Sequence, residues 1–584
     1  MSSPKIELIL SRFDVAHNVK NQWTSIWTDI ARYIHMRKYN FNVKNPAEGM
    51  VLNRQVFDST APKAMTSFVS AFLGALWPSG VKTFKLTRPF DIPETEEVKD
   101  YYEWATAMLT RFMDRPEAGL NTSLHEYMLD QASFGTSGVG MFENPGNYMV
   151  PFYCRSFDIR VSSILEGRNG YVDTVYILEE KTVRQAVMEF GIDAMSEKIR
   201  DKYNQNKFTD KVEILWAIEP RDPLERNPDM SGVRNMPYAS YHIEREAKHI
   251  IRESGFDGMP IFFTRFSKAI GETYGRSPGM DALPDIWQIN GMSEALNLAT
   301  EQSLDPTLMI RDGALVGNGK VLNTSPGGIV VVSASGPFAN VRPIEPLQDG
   351  KELQAPMLLK QELKQSIREA FFLDRLLDFM ADSQRSTATE ANIRNGLRGE
   401  SLSPMYARQL VELFTPLITR AADICFRAGL LGVTEGSAAE AKLTQMGAPV
   451  RYLPGPVAQA IAEGRDVYDI EFVSPAKRIM DSEQLSGIFS TLQEATVIAG
   501  IKPEALDFLN ADEALREVVR LSGAPSVLRV AEDKVSEIRE ARAKMQQQQM
   551  QISAQEQQSK AVLNQANANA AMINASKPNG LVNR

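Results

Sequence analysis

Two long helical patterns with a glycine- and valine-rich stretch between them constrain this chain more than any other feature. The first runs from about Pro284 to Leu304. It sets Ile286, Ile289, Met292 and Leu296 on one face at three- and four-residue spacing and stops at Asp305-Pro306. The second covers about 352–380, with Leu359, Leu363, Ile367, Ala370 and Leu377 as its stripe. At ~1.5 Å per residue these helices span roughly 30 and 40 Å. Between them the sequence GNGKVLNTSPGGIVVVSASG predicts a small strand-bearing module. Two arrangements satisfy the pattern: a stalk carrying a small head, or a hairpin buried inside an ordinary globular core.

The flanking regions read differently from each other. Residues 1–135 are helical in pattern, with Ala64, Phe68, Ala71, Phe72 and Ala75 forming one face before Pro78 and Gly80. From about 149 to 270 the runs are short and rich in β-branched and aromatic residues, which predicts strands with one helical insert near KTVRQAVMEFG. After 403, Ser403-Pro404 predicts a helix start, and Leu410, Leu413, Phe414, Leu417, Ala421 and Ile424 follow as a stripe ending near Gly429. The short strand-like VYDIEFVSPA precedes helices at about 481–530. From 531 the chain is polar and low in complexity, yet Ile538, Met545, Ile552, Ala566 and Ile573 share a seven-residue grid, interrupted by Ser559. That tail is either a frayed polar segment or a helix that orders against copies of itself.

Between 379 and 395 the chain reads FMADSQRSTATEANIRN. A helical pattern stops, a hydrophilic break follows, and Thr387-Ala388-Thr389-Glu390 opens the next helix as a capping box. The break holds a single cation, Arg385. On pattern alone it is a solvated turn between helices.

Composition removes several function classes. Hydrophobic residues make up 43% and charged residues 23%, so sizeable cores are expected over most of the chain. Net charge is −9 and no basic block occurs, which argues against tight, sequence-independent nucleic-acid binding. Cys154 and Cys425 are too few for a disulfide framework or a zinc site, and a reducing compartment is expected. The N-terminal residues lack a signal-peptide pattern, and the longest apolar run, 68–77, is about half a membrane span.

No motif predicts catalysis. GRSPG at 275–279 fits the nucleophile-elbow pattern, but Pro278 lacks the N–H that such a site needs, and all five histidines precede Ser277. Ser277-Pro278 is expected to cap a helix. GALVGNGK (313–320) has one residue too many for a P-loop, and Val321 stands where Ser or Thr should follow Lys320. SFGTSGVG (133–140) predicts a helix-to-strand connection. His242 and His249 lack an acidic or cysteine partner at ligand spacing, so neither metal nor cofactor is expected.

Several longer stretches resemble the head-to-tail connector, or portal, family of short-tailed bacteriophages, over about 10–530. They are VFDSTAPKAMTSFVSAFLGALWPSG followed by FKL (56–86), YGRSPGMDALPDIWQIN (274–290), DPTLMIRDG (305–313), TATEANIR (387–394) and FTPLITRAADICFRAGLLG (414–432). RGESLSPMYARQL (398–410) departs from the family, with Ser403 where a glycine is expected.

What the resemblance implies is an α+β portal fold. Its parts are a wing at 1–276 (helical 1–148, strand-rich 149–276), a first stem helix at 277–304, a clip at 305–350 and a second stem helix at 351–381. A tunnel loop at 382–388, a wing return at 389–480, a crown at 481–530 and a C-terminal helical barrel or tail at 531–584 complete it. It further implies a non-enzymatic ring of twelve subunits around double-stranded DNA, with Asp382, Ser383, Gln384, Arg385, Ser386 and Thr387 at the channel. Arg311 and Lys320 in the clip are the implied contacts for terminase large subunit and then tail adaptor or nozzle proteins. Major capsid, scaffold and internal core proteins are further implied partners. The implied place is the virion, after synthesis in the host cytoplasm. A tail adaptor or scaffold-type component is the alternative that the stem–clip–stem plan disfavours.

Overall fold

The computed structural model describes residues 4–38, 55–78, 80, 82–226, 232–305, 307–311, 328–332, 344–346, 354–374, 405–473, 485, 487–497, 510–521 and 532–575. Four helices open the chain: α1 (Pro4–Tyr33), α2 (Thr60–Leu76), α3 (Glu96–Met113) and α4 (Leu120–Phe134). The expected stripe of α2 is buried, from Ala64 and Phe68 to Ala75. Helix α3 begins where Thr95 accepts the Val98 N–H, with Glu96 and Glu97 against the positive end of its dipole. Helix α4 stops at Gly135, whose φ of 76° suits glycine.

Strand β1 (Phe84–Thr87) interrupts this helical region, contrary to the sequence expectation. Its partner is antiparallel β13 (Asp469–Phe472), with Phe84 opposite Phe472. A two-stranded ribbon closed between such distant segments has no local signature. The strand-rich region also starts earlier than 149, at β2 (Thr136–Glu143).

It continues with β3 (Phe152–Phe157), β4 (Ser162–Glu166), β5 (Val172–Thr182), α5 (Val183–Phe190), α6 (Glu197–Asn204), β6 (Lys211–Pro220), β7 (Tyr238–Glu244), β8 (His249–Phe256) and β9 (Ile261–Arg265). These form an antiparallel sheet in the order β3-β2-β9 and an antiparallel meander β4-β5-β6-β7-β8. Helix α1 covers one face of the meander through Ile6, Ile9, Phe13 and Ala16 against Tyr176, Leu215 and Tyr241. The expected insert α5, with α6, covers another part through Val183, Ala186 and Ile199 on Val212 and Ile214.

The middle holds α7 (Pro278–Asp281), α8 (Leu283–Leu304), β10 (Leu308–Arg311), β11 (Ile329–Val332), β12 (Ile344–Pro346) and α9 (Gln354–Ala370). Residues 405–409 are helical, Leu410–Phe414 form a π-helical turn, and α10 (Thr415–Arg427) continues to Gly429. Then come α11 (Ala438–Gln445), α12 (Gly455–Ala462), β13, α13 (Ala511–Leu521) and α14 (Glu532–Ala575). The fold is α+β. Its main core joins α2, α4, β2, β9, the near end of α8, the far end of α9, and α10. Stacked rings mark it: Phe72 on Tyr406 at 5.0 Å and Trp77 on Phe414 at 5.3 Å.

Candidate functional site: a helix pair and its strand module

Helices α8 and α9 meet the body at one end only. On α8 the buried residues are Leu283, Ile286, Ile289 and Ser293; on α9 they are Leu363 and Ile367. Ser366 donates to Asp285 at 2.6 Å, so the start of α8 lies beside the end of α9. The opposite ends, 294–304 and 354–362, lie outside the core, and this favours the stalk over the buried hairpin. Large apolar side chains stay uncovered there. Leu298 is 52% exposed, Leu304 82%, Met357 52% and Leu358 63%. Apolar surface of this kind marks a contact that one subunit cannot complete alone.

The base of the pair is fixed by the stretch leading into α2. Asn290 donates to the Gln55 carbonyl at 3.0 Å and accepts from the Phe57 N–H at 2.7 Å. Asp58 lies 3.5 Å from Lys360 and 3.8 Å from Lys364. At the tip, β10 is the central strand of three, parallel to β11 and antiparallel to β12. Arg311 ends β10 opposite Val332; Lys320 lies outside the described residues.

The second helix is interrupted within its expected stripe, is helical again at 373–374, and its remaining stripe residue Leu377 lies outside the described residues. After Ala370 the buried Phe371 is followed by Phe372 at φ 55°, and Leu373 is buried again. Burying Phe371 against Phe68 and Leu373 in the same core turns the chain inward, which a straight helix could not do. A bulky residue in the left-handed region costs on the order of 1 kcal/mol or more, and that packing holds it there. Residues 382–387, with Arg385, lie outside the described residues, as do the Thr387 capping box and Ser403-Pro404.

Where the chain returns, the π-helical turn brings Gln409 and Glu412 onto consecutive residues of β9. Tyr127 and Gln131 both donate to Gln409 Oε1, at 2.7 and 3.2 Å, and Gln131 also donates to Thr264 at 2.8 Å. Burial pushes the Tyr127 hydroxyl up. Arg265 is 1% exposed. Its Nη2 donates to Glu412 Oε1 at 3.0 Å and to the Gly170 carbonyl at 2.8 Å; its Nη1 donates to Glu166. An even stripe from Leu410 to Ile424 gives no hint of an added residue. The lone arginine in the apolar run IFFTRF was the available signal, because a buried guanidinium requires acceptors.

Two of the catalytic look-alikes have structural roles. Ser277 is 1% exposed, accepts from the Met280 N–H at 3.1 Å and donates to the Ser133 carbonyl at 2.6 Å, capping α7 as expected. SFGTSGVG is the expected turn from α4 into β2. A Cβ on Gly135 would lie 2.2 Å from the Gly275 carbonyl oxygen, so the two glycine motifs exist to let backbones cross. GALVGNGK lies outside the described residues apart from Arg311 before it. His242 stacks on Trp216 at 5.3 Å, and burial, with Lys181 and Arg252, pushes it down to about 4. His249 contacts the Ala194 carbonyl at 3.0 Å. Burial pushes the Cys154 thiol up to about 12. Among the described residues no group of three or more His, Cys, Asp or Glu could hold a metal. None of their helices is long and apolar enough to cross a membrane.

An α+β body that extends a clamped helix pair, with uncovered apolar flanks and a small sheet at its tip, defines a protein built to assemble with other chains. The chain belongs to the bacteriophage head to tail connecting protein family, whose model matches residues 7–529. It is 27% identical over 584 residues to a protein described as a probable portal protein of Bordetella phage BPP-1, covering 98% of this chain and 97% of that one. It is 25% identical over 559 residues to the portal protein of Salmonella phage epsilon15, covering 94% and 93%. A chain of the virion of a native gene transfer agent particle aligns at 12% identity over 70% of this chain and 95% of that one. Its TM-score of 0.29 is too low to equate individual elements. The function is therefore that of a phage portal subunit, a structural component of the virion at the head-to-tail connection.

Proposed function

We propose that twelve copies of this chain close into a ring around a channel through which double-stranded DNA enters the capsid and later leaves it. Helices α8 and α9 are the stem, and the β10–β12 module is the clip that meets the terminase large subunit and then the tail adaptor or nozzle proteins. Residues 1–276 and 389–480 form the wing, 481–530 the crown, and 531–584 a self-associating helical barrel. The major capsid and scaffold proteins surround the wing, and internal core proteins cap the crown.

One observation carries this reading: the apolar residues left uncovered along α8 and α9, which a neighbouring copy would bury. The capping of the stem base by Asn290 and Asp58 supports it, because a rigid base fixes the angle between neighbours. Residues 382–387 then act as the tunnel loop. A ring of Arg385 side chains contacts phosphates without reading bases. The overall charge of −9 suits a conduit, where counterion-driven grip must stay weak for DNA to move.

Native mass of the purified protein, with averaged particle images, tests the ring. A closed particle near twelve subunit masses with a central hole is expected. A monomer that stays open under phage assembly conditions sinks the proposal. Arg385→Ala should alter DNA packaging or retention while rings still form; failed assembly would refute the loop assignment.

A further inference from the structure

A cavity of about 390 Å³ lies where the first turns of α2 face the last turns of α9. Both walls repeat every four residues. Ser59, Lys63 and Ser67 form one row, and Lys360, Lys364 and Arg368 run along the other helix. Like charges at this spacing repel one another; Asp58 meets Lys360 and Lys364, while Arg368, one turn further on, has no such partner among the described residues.

The cavity contains two carboxylates, and both are engaged. Asp58 accepts the Thr60 N–H at 2.8 Å and lies between Lys360 and Lys364. Burial opposes its charge, but the Thr60 hydrogen bonds and the two lysines outweigh that and hold its carboxyl below the usual range. Asp374 accepts from Gln365 Nε2 at 2.7 Å. Lys63 and Arg368 therefore face the cavity with no acidic partner among the described residues. The Ser59 hydroxyl is likewise not spent on capping α2.

We propose that this cavity binds a phosphate group, and that in the assembled particle the phosphate belongs to the backbone of DNA. Arg368 offers a planar fork and Lys63 a point charge, while hydroxyls of Ser59 and Ser67 approach from the α2 side. Donors converging from different directions match a tetrahedral oxyanion better than a planar carboxylate. The position matters for function. The site sits at the base of α8 and α9, beside Leu373 and Asp374 just past the Phe372 turn. It would give the conduit a second phosphate contact, set on rigid helices. The DNA assignment rests on the channel reading above; the phosphate site itself does not.

Two measurements on the full-length protein test it, using wild type and the double variant Lys63→Gln with Arg368→Gln. The first follows the melting temperature of the unassembled subunit as inorganic phosphate replaces chloride at constant ionic strength. A rise in wild type that is lost in the double variant is expected. The second measures binding of a short DNA duplex to assembled rings across a salt series. The double variant should bind more weakly, with a salt slope reduced by about 2, while Lys198→Gln on the wing leaves binding unchanged. Equal phosphate response in both proteins overturns the site. A phosphate response without any change in duplex binding overturns DNA as its source and leaves a free anion. Failure of wild type to form rings counts against the channel, and the phosphate arm still decides the cavity.

Discussion

Helices α1 and α14 are both long, 30 and 44 residues, and they do opposite things. Helix α1 buries Ile6, Ile9, Phe13, Ala16, Trp27 and Ile30 along one side, first on the meander and then in the main core. Helix α14 leaves most of the large apolar side chains described for it open to solvent. Ile538 is 51% exposed, Met545 69% and Ile552 58%. Length and helix propensity do not separate the two. Apolar spacing does: α1 places bulky residues often enough for a wide stripe, while those of α14 are scattered among glutamines, with Ile538, Met545 and Ile552 on a seven-residue grid. A narrow seam has too little area to hold to a globular body, but it suits identical helices packed side by side. The first helix packs within the subunit; for the second, the proposed barrel would supply the packing partner.

The largest test of that contrast is Trp27→Ala. Its ring is fully buried, meets Tyr274 edge-on at 5.2 Å, and donates from Nε1 to the Phe134 carbonyl at 3.1 Å. Chemical denaturation should show a loss of about 3–5 kcal/mol. A loss below about 1 kcal/mol would mean that α1 is not integral to the body.

Acid titration sharpens the contrast next, since the body contains buried titratable groups and α14 has none among its described side chains. His242 is neutral in the fold, with its pKa lowered to about 4 by burial and by Lys181 and Arg252. The unfolded chain takes up this proton first, near pH 6.5, so stability is lost as pH falls from about 6.5 to 4. Asp158 follows. Burial opposes its charge, but Lys38 and Arg160 win and hold it at about 2. Its contribution is present above about pH 4 and is lost as pH falls through 2. His242→Phe should flatten the upper window, worth on the order of 2–3 kcal/mol, and leave the lower one intact. An unchanged upper window would assign that loss to another group.

The smallest expected effect is the most diagnostic. Replacing Ile538, Met545 and Ile552 together by Gln should change subunit unfolding by less than about 0.5 kcal/mol. Helical content should fall only in assembled particles. A drop of similar size in the isolated subunit would show that α14 docks on its own chain.

Much of this fold was legible because helix period and turn chemistry are local. The α2 stripe, the α5 insert, the Ser277 cap and the turn at Gly135 all stand where their residues indicate. The ends of the helix pair were less so: the α9 stripe ran on, yet the chain turned at Phe372 because Phe371 and Leu373 share a core pocket that no spacing rule describes. Of the candidate site residues, Arg311 ends a central strand, while Arg385 and Lys320 fall outside the described residues.

By itself, the sequence determined that the chain is α+β, that two long helices bracket a small sheet, and that Ser277 caps a helix and SFGTSGVG turns from helix to strand. These depend on interactions a few residues apart. Only the tertiary structure decided the β1–β13 ribbon, the π-helical turn on Arg265, and the meeting of Lys63 on α2 with Lys364 and Arg368 on α9. Each joins segments separated by scores to hundreds of residues, and each exists because a buried charge, an open backbone edge or an apolar face needed a partner that local sequence could not supply.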